Sequence, residues 1–244
     1  MENDIITHLK IIQNRINLAC EKANRQPSEV QLLLATKTVK PDRIKQAVNA
    51  GYQLIAENKI QELKEKYEAL QETPHQSHFI GHLQTNKIKE VIRYGVTCIQ
   101  SVDRLDLAEK LQARLEMEDK NVDILIQVNT SNEDSKFGAA PENVLDLTQA
   151  IAKLDRIHIK GLMTIGLFSD DESKVRPCFQ LLKKIQQEIN DANIPNVEMK
   201  ELSMGMSGDL EIAIEEGATI VRVGTAIFGK RIYPDSYYWN EGQG

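Results

Sequence analysis

The sequence predicts one parallel (β/α)8 barrel of the TIM type, an α/β fold, with an extra N-terminal helix. Eight short apolar segments alternate with helical segments along the 244 residues, and such runs are typical of strands buried on both faces of a parallel sheet. Polar residues follow most of these segments, and glycine-containing loops follow the last two. An open doubly wound sheet has the same local alternation, so the residues at the strand ends must distinguish the two folds.

An apolar stripe predicts the extra helix before the first strand. Its residues recur at steps of four and three, which places them on one helix face: Ile5, Leu9, Ile12, Ile16 and Ala19. The eight predicted strands comprise residues 30–35, 53–56, 78–81, 97–100, 122–128, 157–165, 197–202 and 219–223. Helix ends are predicted from capping residues, with starts at Pro41 and Pro141, an N-cap at Asp103, and stops at Gly51, Gly95 and Gly217.

Composition excludes several classes of protein. Hydrophobic residues make up 41% and charged residues 27% of the chain, which suits a folded domain with a sizeable core. The net charge of −6, with basic residues dispersed among acidic ones, predicts no nucleic-acid partner. The three cysteines are far apart and are predicted to be reduced and buried. No leader or membrane-spanning run is seen, so a cytoplasmic location is expected.

No linker divides the chain, so residues 1–230 are predicted to form one domain. Residues 231–244 form a C-terminal extension that contains Tyr237, Tyr238 and Trp239 and has no assigned role.

Reactive side chains follow the predicted strands. In a barrel the carboxyl ends of all strands meet at one mouth, where the chemistry takes place. The residues found there are Thr36, Lys37, Asn58, His82, Asn129, Met163, Thr164, Ser203 and Arg222. Their convergence at one end favours the closed barrel over the open sheet.

Lys37 is the candidate nucleophile. It directly follows the most apolar strand, where desolvation favours the neutral amine that attacks an aldehyde to form a Schiff base. The alternative is a lysine that extends from a strand end to solvent.

The loops after the last two strands predict a phosphate site. They read Ser203-Met204-Gly205-Met206-Ser207-Gly208 and Arg222-Val223-Gly224-Thr225-Ala226. In barrels these two loops commonly bind phosphate through backbone amides, to which Ser207 and Thr225 add hydroxyl donors. Gly224 lets the backbone approach the ligand closely. The alternative is two ordinary tight turns.

Other residues have two interpretations each. Arg222 would face the pyridine nitrogen of a bound ligand and keep that nitrogen unprotonated, or it would pair with an acidic residue inside the barrel. Asn58 would contact a ligand or cap the next helix. His75, His78 and His82 have helical spacing but lie in a predicted strand region, so no metal site is expected.

The chain resembles the pyridoxal phosphate homeostasis protein family, which is related to the N-terminal barrel of alanine racemase. The resemblance extends from about residue 30 to residue 230. Its motifs include Ala35-Thr36-Lys37-Thr38, Ala56-Glu57-Asn58, Gly161-Leu162-Met163-Thr164, Leu202-Ser203-Met204-Gly205-Met206-Ser207 and Val221-Arg222-Val223-Gly224-Thr225, with a further one at residues 78–87. Ala56 replaces the family's usual glycine, which affects only local backbone freedom.

The resemblance implies a pyridoxal 5′-phosphate (PLP) fold of type III with PLP on Lys37. It implies that Ser207, Gly224 and Thr225 bind the phosphate and that Arg222 faces the pyridine nitrogen. Asn58, Met163 and Ser203 would line the ring pocket. The family members are regarded as PLP carriers or regulators of vitamin B6 and amino-acid balance, without an established reaction.

Two main hypotheses follow for the function. The first is a non-catalytic, monomeric protein that holds PLP or delivers it, with transient contact to PLP-dependent apoenzymes. The second is a one-base PLP enzyme of racemase type, because about twenty residues after the last strand leave no room for a domain with a second base. A third, a barrel that binds a sugar phosphate, requires that no Schiff base forms. Lys136 would be a second PLP-binding lysine or a solvated loop residue.

Overall fold

A computed structural model of the chain describes residues 3–133 and 137–229. Its eight parallel strands close into a barrel in sequence order, and β1 pairs with β8. The strands are β1 Gln31–Ala35, β2 Leu54–Glu57, β3 Gln76–Phe79, β4 Cys98–Val102, β5 Val122–Gln127, β6 Ile157–Met163, β7 Val197–Ser203 and β8 Ile220–Val223. This confirms the predicted barrel and excludes the open sheet.

Helices surround the barrel and connect its strands. The described α-helices are α1 Asn3–Lys22, α2 Pro41–Asn49, α3 Ile60–Leu70, α4 Ile88–Arg93, α5 Leu105–Glu118, α6 Val144–Ile151, α7 Glu172–Asp191, α8 Leu210–Glu215 and α9 Thr225–Phe228. The predicted helix start at Pro41 is confirmed, and Gly51, Gly95 and Gly217 follow helix ends with positive φ. Pro141 begins a short 3-10 turn that leads into α6.

The prediction that Asp103 is an N-cap is wrong. Helix α5 has Arg104 as its N-cap residue and no side-chain cap. The Asp103 carboxylate instead accepts a hydrogen bond of 2.7 Å from the Arg104 guanidinium. The Asp103 carboxylate therefore binds a neighbouring side chain and not the helix amides.

The predicted apolar stripe of α1 is buried, and this helix packs against α8 and α9. Polar contacts of two residues of α1 and of Arg25, which follows it, reinforce the packing. Arg15 pairs with Glu211 and donates a hydrogen bond of 3.0 Å to the carbonyl of Ser207. Arg25 donates to the carbonyl of Ala218 at 2.8 Å, and the His8 ring lies 3.0 Å from the carbonyl of Ile227. The extra helix thus holds the elements that adjoin the two predicted phosphate loops.

The core lies mainly between the sheet and the helices, where most buried apolar side chains form one cluster. The barrel interior contains two smaller apolar clusters: Leu33, Leu54, Ala56 and Ile220 form one, and Cys98, Leu125 and Met163 form the other. The interior is therefore filled by side chains, as in other small barrels.

Some predictions concern residues outside the described ranges. Lys136 and the extension 231–244 lie there, and the domain boundary at residue 230 stays a prediction. The three cysteines are buried and unpaired. In the described ranges, no helix is both long enough and apolar enough to cross a membrane.

Candidate functional site

Barrel closure brings Lys37 next to the loop after β8. In the β1–β8 pair, Leu33 lies opposite Arg222 and Leu34 opposite Val223, so both strands end at the same level. A Cβ atom at Gly224 would lie only 2.8 Å from the carbonyl oxygen of Ala35. Lys37 is half-buried in the turn after β1. The predicted nucleophile and one predicted phosphate loop therefore share the barrel mouth.

The two predicted phosphate loops are in direct contact with each other. Gly205 has φ of +91°, and its carbonyl accepts a hydrogen bond of 2.9 Å from the Arg222 amide. Ser207 is half-buried, while Thr225 is exposed at the start of α9. Within the described residues, no backbone carbonyl accepts from the amides of Thr225 and Ala226. These amides belong to the first turn of α9, whose N–H groups have no acceptor within the helix.

Arg222 is a buried cation that points into the barrel. Its side chain is 6% exposed and donates to the Ser203 hydroxyl at 2.9 Å and to the Thr164 carbonyl at 2.8 Å. Burial lowers the pKa of the guanidinium to about 10, so it stays charged at neutral pH. No carboxylate of the described residues forms an ion pair with it. The interpretation of Arg222 as half of an interior ion pair is therefore wrong for this part of the chain.

A chain of hydrogen bonds extends from Arg222 across the barrel interior. The Ser203 hydroxyl donates to Gln100 Oε1 at 2.6 Å, and Gln100 Nε2 lies 2.8 Å from His78 Nδ1. A guanidinium has only donors, so Arg222 fixes the direction of each bond, and His78 Nδ1 must accept. His78 is thus neutral with its proton on Nε2, and burial lowers its pKa to about 4.

Gln100 and this role of His78 were not predicted from the sequence. Gln100 is fully buried in β4, where Ile99 and Ser101 are its neighbours in sequence. A buried amide in a strand of a parallel barrel needs a polar partner inside the barrel. That requirement could have identified Gln100 as a residue of the interior network from the sequence, although it does not identify the partner of Gln100.

The buried state of His78 predicts a pH dependence of stability. The unfolded chain binds the proton with a pKa near 6.5, whereas the folded protein binds it near 4. Because the unfolded state binds more protons between these values, the free energy of unfolding rises with pH across this window, by up to about 3 kcal/mol. Urea unfolding at pH 5 and at pH 7.5 measures the rise.

The matched comparison is the variant His78→Gln. Its free energy of unfolding should lack the part of the pH dependence that His78 contributes in the wild type. Burial raises the pKa of the Glu57 carboxyl to about 7, which contributes a slope of opposite sign in both proteins. The difference between wild type and variant therefore isolates His78. His158→Gln, at an exposed position, should leave the slope unchanged, and an equal slope in His78→Gln would contradict a buried neutral histidine.

Asn58 and Met163 lie at or inside the barrel mouth. The N-cap residue of α3 is Lys59, and the helix has no side-chain cap, so the interpretation of Asn58 as a helix cap is wrong. Asn58 is 9% exposed at the end of β2. Met163 is buried and packs with Cys98 and Leu125 in the barrel interior.

The position of Asn58 depends on Gly81. A Cβ atom at Gly81 would lie 1.9 Å from the carbonyl oxygen of Asn58, which is backbone and cannot rotate away. Gly81→Ala should therefore displace the end of β2 and destabilise the protein by about 3 kcal/mol in urea unfolding. Gly208→Ala is the control, because a Cβ atom at that position would have nothing within 4 Å, and it should change stability by less than about 0.5 kcal/mol. Equal stability of the two variants would contradict the close approach.

The three histidines do not share one face. His78 lies in β3 and points into the barrel, whereas His82 follows the strand and stacks on Phe137 with ring centroids 3.8 Å apart. His75 contacts the carbonyl of Thr73. Across residues 3–133 and 137–229, no group of three His, Cys, Asp or Glu side chains is arranged to hold a metal ion.

The fold and the site define a class of barrel proteins. Residues 8–232 match the family described as alanine racemase, N-terminal domain, which is most of the chain. Within this class, the curated relatives from Aquifex aeolicus and Pasteurella multocida are both named pyridoxal phosphate homeostasis protein, and the chain belongs to that family. The relative from Aquifex aeolicus is 43% identical over 92% of this chain and 97% of its own length.

Solved structures agree with this assignment. A protein of unknown function from Bifidobacterium adolescentis is 40% identical, with a TM-score of 0.87 over 93% of this chain and 95% of its own. PipY from Synechococcus elongatus, solved with PLP bound, is 30% identical, with a TM-score of 0.77 over 89% of this chain and 100% of its own. The family resemblance stated from the motifs is therefore confirmed.

Proposed function

We propose that this chain binds PLP through a Schiff base on Lys37 and serves PLP homeostasis without catalysing a reaction. It would hold or deliver the cofactor and so balance vitamin B6 and amino-acid pools. The observation that carries the proposal is the pairing of β1 with β8, which puts Lys37 beside the Gly224–Thr225 loop. PLP combines the two groups that such a mouth recognises, an aldehyde and a phosphate.

The residues at the mouth fit PLP. The phosphate would bind to the hydroxyls of Ser207 and Thr225 and to the backbone at Gly224. The Arg222 guanidinium, which has no ion-pair partner among the described residues, lies in the adjoining strand. Arg222 would face the pyridine nitrogen, and because a guanidinium only donates, that nitrogen would act as an acceptor and stay unprotonated. Asn58, Met163 and Ser203 would line the ring.

Lys37 supplies the attachment. Condensation of its amine with the PLP aldehyde would form a C=N bond and release the aldehyde oxygen as water. Mass spectrometry after borohydride reduction tests this directly. PLP on a Lys37 peptide is the expected result, and no reduced adduct at all would contradict the proposal.

The non-catalytic role is supported by the relatives' shared name, which describes homeostasis. The competing role is a one-base PLP enzyme acting on amino acids. The two roles differ in exchange of the amino-acid α-proton in deuterated water, followed by proton NMR. A carrier should show no exchange above free PLP, whereas exchange that depends on the protein would establish the enzyme.

The proposal has three further parts. They are transient contact with PLP-dependent apoenzymes, a monomeric state and a cytoplasmic location. Sedimentation of the PLP-loaded protein tests the oligomeric state. Transfer is tested by mixing it with a PLP-dependent apoenzyme and following the recovery of that enzyme's activity. A rate equal to that with free PLP released by dilution would argue against handover through contact.

A further inference from the structure

A buried ion cluster lies beside the segment that contains Lys37. Lys66 of α3 is 6% exposed, and its ammonium group donates two hydrogen bonds, to Glu57 Oε1 at 2.7 Å and to the carbonyl oxygen of Thr36 at 2.8 Å. It also forms an ion pair with Glu62 Oε2 at 2.5 Å. We call Lys66, Glu57 and Glu62 the Lys66 cluster.

The cluster binds both neighbours of Lys37 in sequence. The Thr36 hydroxyl donates to Glu57 Oε1 at 2.6 Å, and the Thr38 amide lies 3.1 Å from each oxygen of the Glu62 carboxylate. Thr38 has φ of +66°, a left-handed conformation that a β-branched residue adopts only when its surroundings impose it. The carboxylate that receives the Thr38 amide is the part of the surroundings that stabilises this turn.

The composition of the cluster argues against a purely stabilising role. Two carboxylates share one ammonium group, and Glu57 Oε2 is buried without a hydrogen-bond partner. Burial costs free energy for the ionised form of each group and raises the pKa of the Glu57 carboxyl to about 7, and an apolar set of side chains would often be as stable. Apolar side chains, however, cannot accept hydrogen bonds from the Thr36 hydroxyl and the Thr38 amide.

We propose that the Lys66 cluster is a positioning device that sets the backbone on both sides of Lys37 and so directs its amine toward the PLP aldehyde. The inference rests on the proposed function. Lys66 is a positioning residue, because it acts through residues 36 and 38 and does not itself contact the ligand. Glu62 is the half of the device that determines the turn at Thr38.

The test separates positioning from general damage by using two ligands. Pyridoxine 5′-phosphate has an alcohol in place of the aldehyde, so it occupies the phosphate and ring sites but cannot condense with a lysine. Glu62→Gln replaces the charged acceptor of the Thr38 amide by a neutral one and breaks the ion pair with Lys66, and Lys66→Met removes the ammonium group. Each variant should slow condensation with PLP at least about tenfold, because the loss of an interaction with a charged group typically costs at least this much. Both should bind pyridoxine 5′-phosphate within about twofold of wild type. Stopped-flow absorbance and fluorescence titration give the two quantities.

Matched controls are Glu65→Gln and Lys64→Met, which alter exposed residues of the same helix and should leave both quantities unchanged. Glu62 is 19% exposed at its side chain, so Glu62→Gln decides the matter if Lys66→Met does not fold. Equal loss of both ligands, or an unchanged condensation rate in folded Glu62→Gln, would overturn the inference. Failure of the wild type to condense with PLP would instead reject the proposed function.

Discussion

Replacement of Lys37 by alanine is expected to remove the visible absorption that PLP acquires on binding to the wild-type protein. The band requires a C=N bond to a lysine, and Lys37 lies two residues after Ala35, which approaches the candidate phosphate loop at Gly224. Without that bond, only the phosphate and ring contacts hold PLP. We expect the affinity to fall at least about 100-fold, or ~3 kcal/mol. Spectral titration with PLP and equilibrium dialysis measure the two effects.

Lys40→Ala is the control for this variant, because Lys40 is exposed three residues further along the same segment. It should keep the band and the affinity of the wild type. Peptide mapping after borohydride reduction then shows whether any second lysine, Lys136 included, reacts in Lys37→Ala. A band that forms with wild-type rate and affinity in that variant would refute the assignment of Lys37.

The double variant with Ser207→Ala and Thr225→Val is expected to weaken PLP binding by at least about 100-fold. Each substitution removes one hydroxyl that would donate to a phosphate oxygen, and a hydrogen bond to a charged group contributes about 1.5–3 kcal/mol. Both hydroxyls lie in the two loops that Gly205 and Arg222 join at 2.9 Å. Pyridoxal, which lacks the phosphate, should bind the double variant and the wild type equally weakly.

The comparison of these two ligands localises the effect. Ser28→Ala is the matched control, since Ser28 is exposed in a 3-10 turn before β1, at the opposite end of the barrel from the predicted site. If the double variant lost PLP and pyridoxal in the same proportion, the hydroxyls would act on the pocket as a whole and not on the phosphate. An unchanged PLP affinity would show that the phosphate binds at other residues.

The barrel itself was predictable because its signal is local. Strands buried on both faces are largely apolar, as Leu32, Leu33 and Leu34 show, and Gly51, Gly95 and Gly217 follow the ends of helices between them with positive φ. The candidate site residues were predictable for a related reason. In a parallel barrel, a polar residue in the last part of a strand or directly after it is placed near the mouth whatever its partners are. Lys37, Asn58 and Arg222 were selected in this way.

The interactions among these residues were not predictable, because they join residues far apart in the sequence. Ser203 and Gln100 are 103 positions apart, and their hydrogen bond depends on the opposite positions of β7 and β4 across the interior. Lys66 looks like any helical lysine in sequence, yet it is buried and bonded to both Glu57 and Glu62. Only the packing of α3 against the end of β2 determines which of its charged residues is enclosed.

The sequence by itself therefore determined the class of fold, the family and the candidate position of the lysine that would hold PLP. Local periodicity, capping residues and motifs were enough for these. The tertiary structure decided which side chains meet: the closure of β1 on β8 beside Lys37, the hydrogen-bond chain from Arg222 to His78, and the buried cluster at Lys66. The physical reason is that hydrogen bonds and ion pairs act over a few ångströms in space, a distance that separation along the chain does not specify.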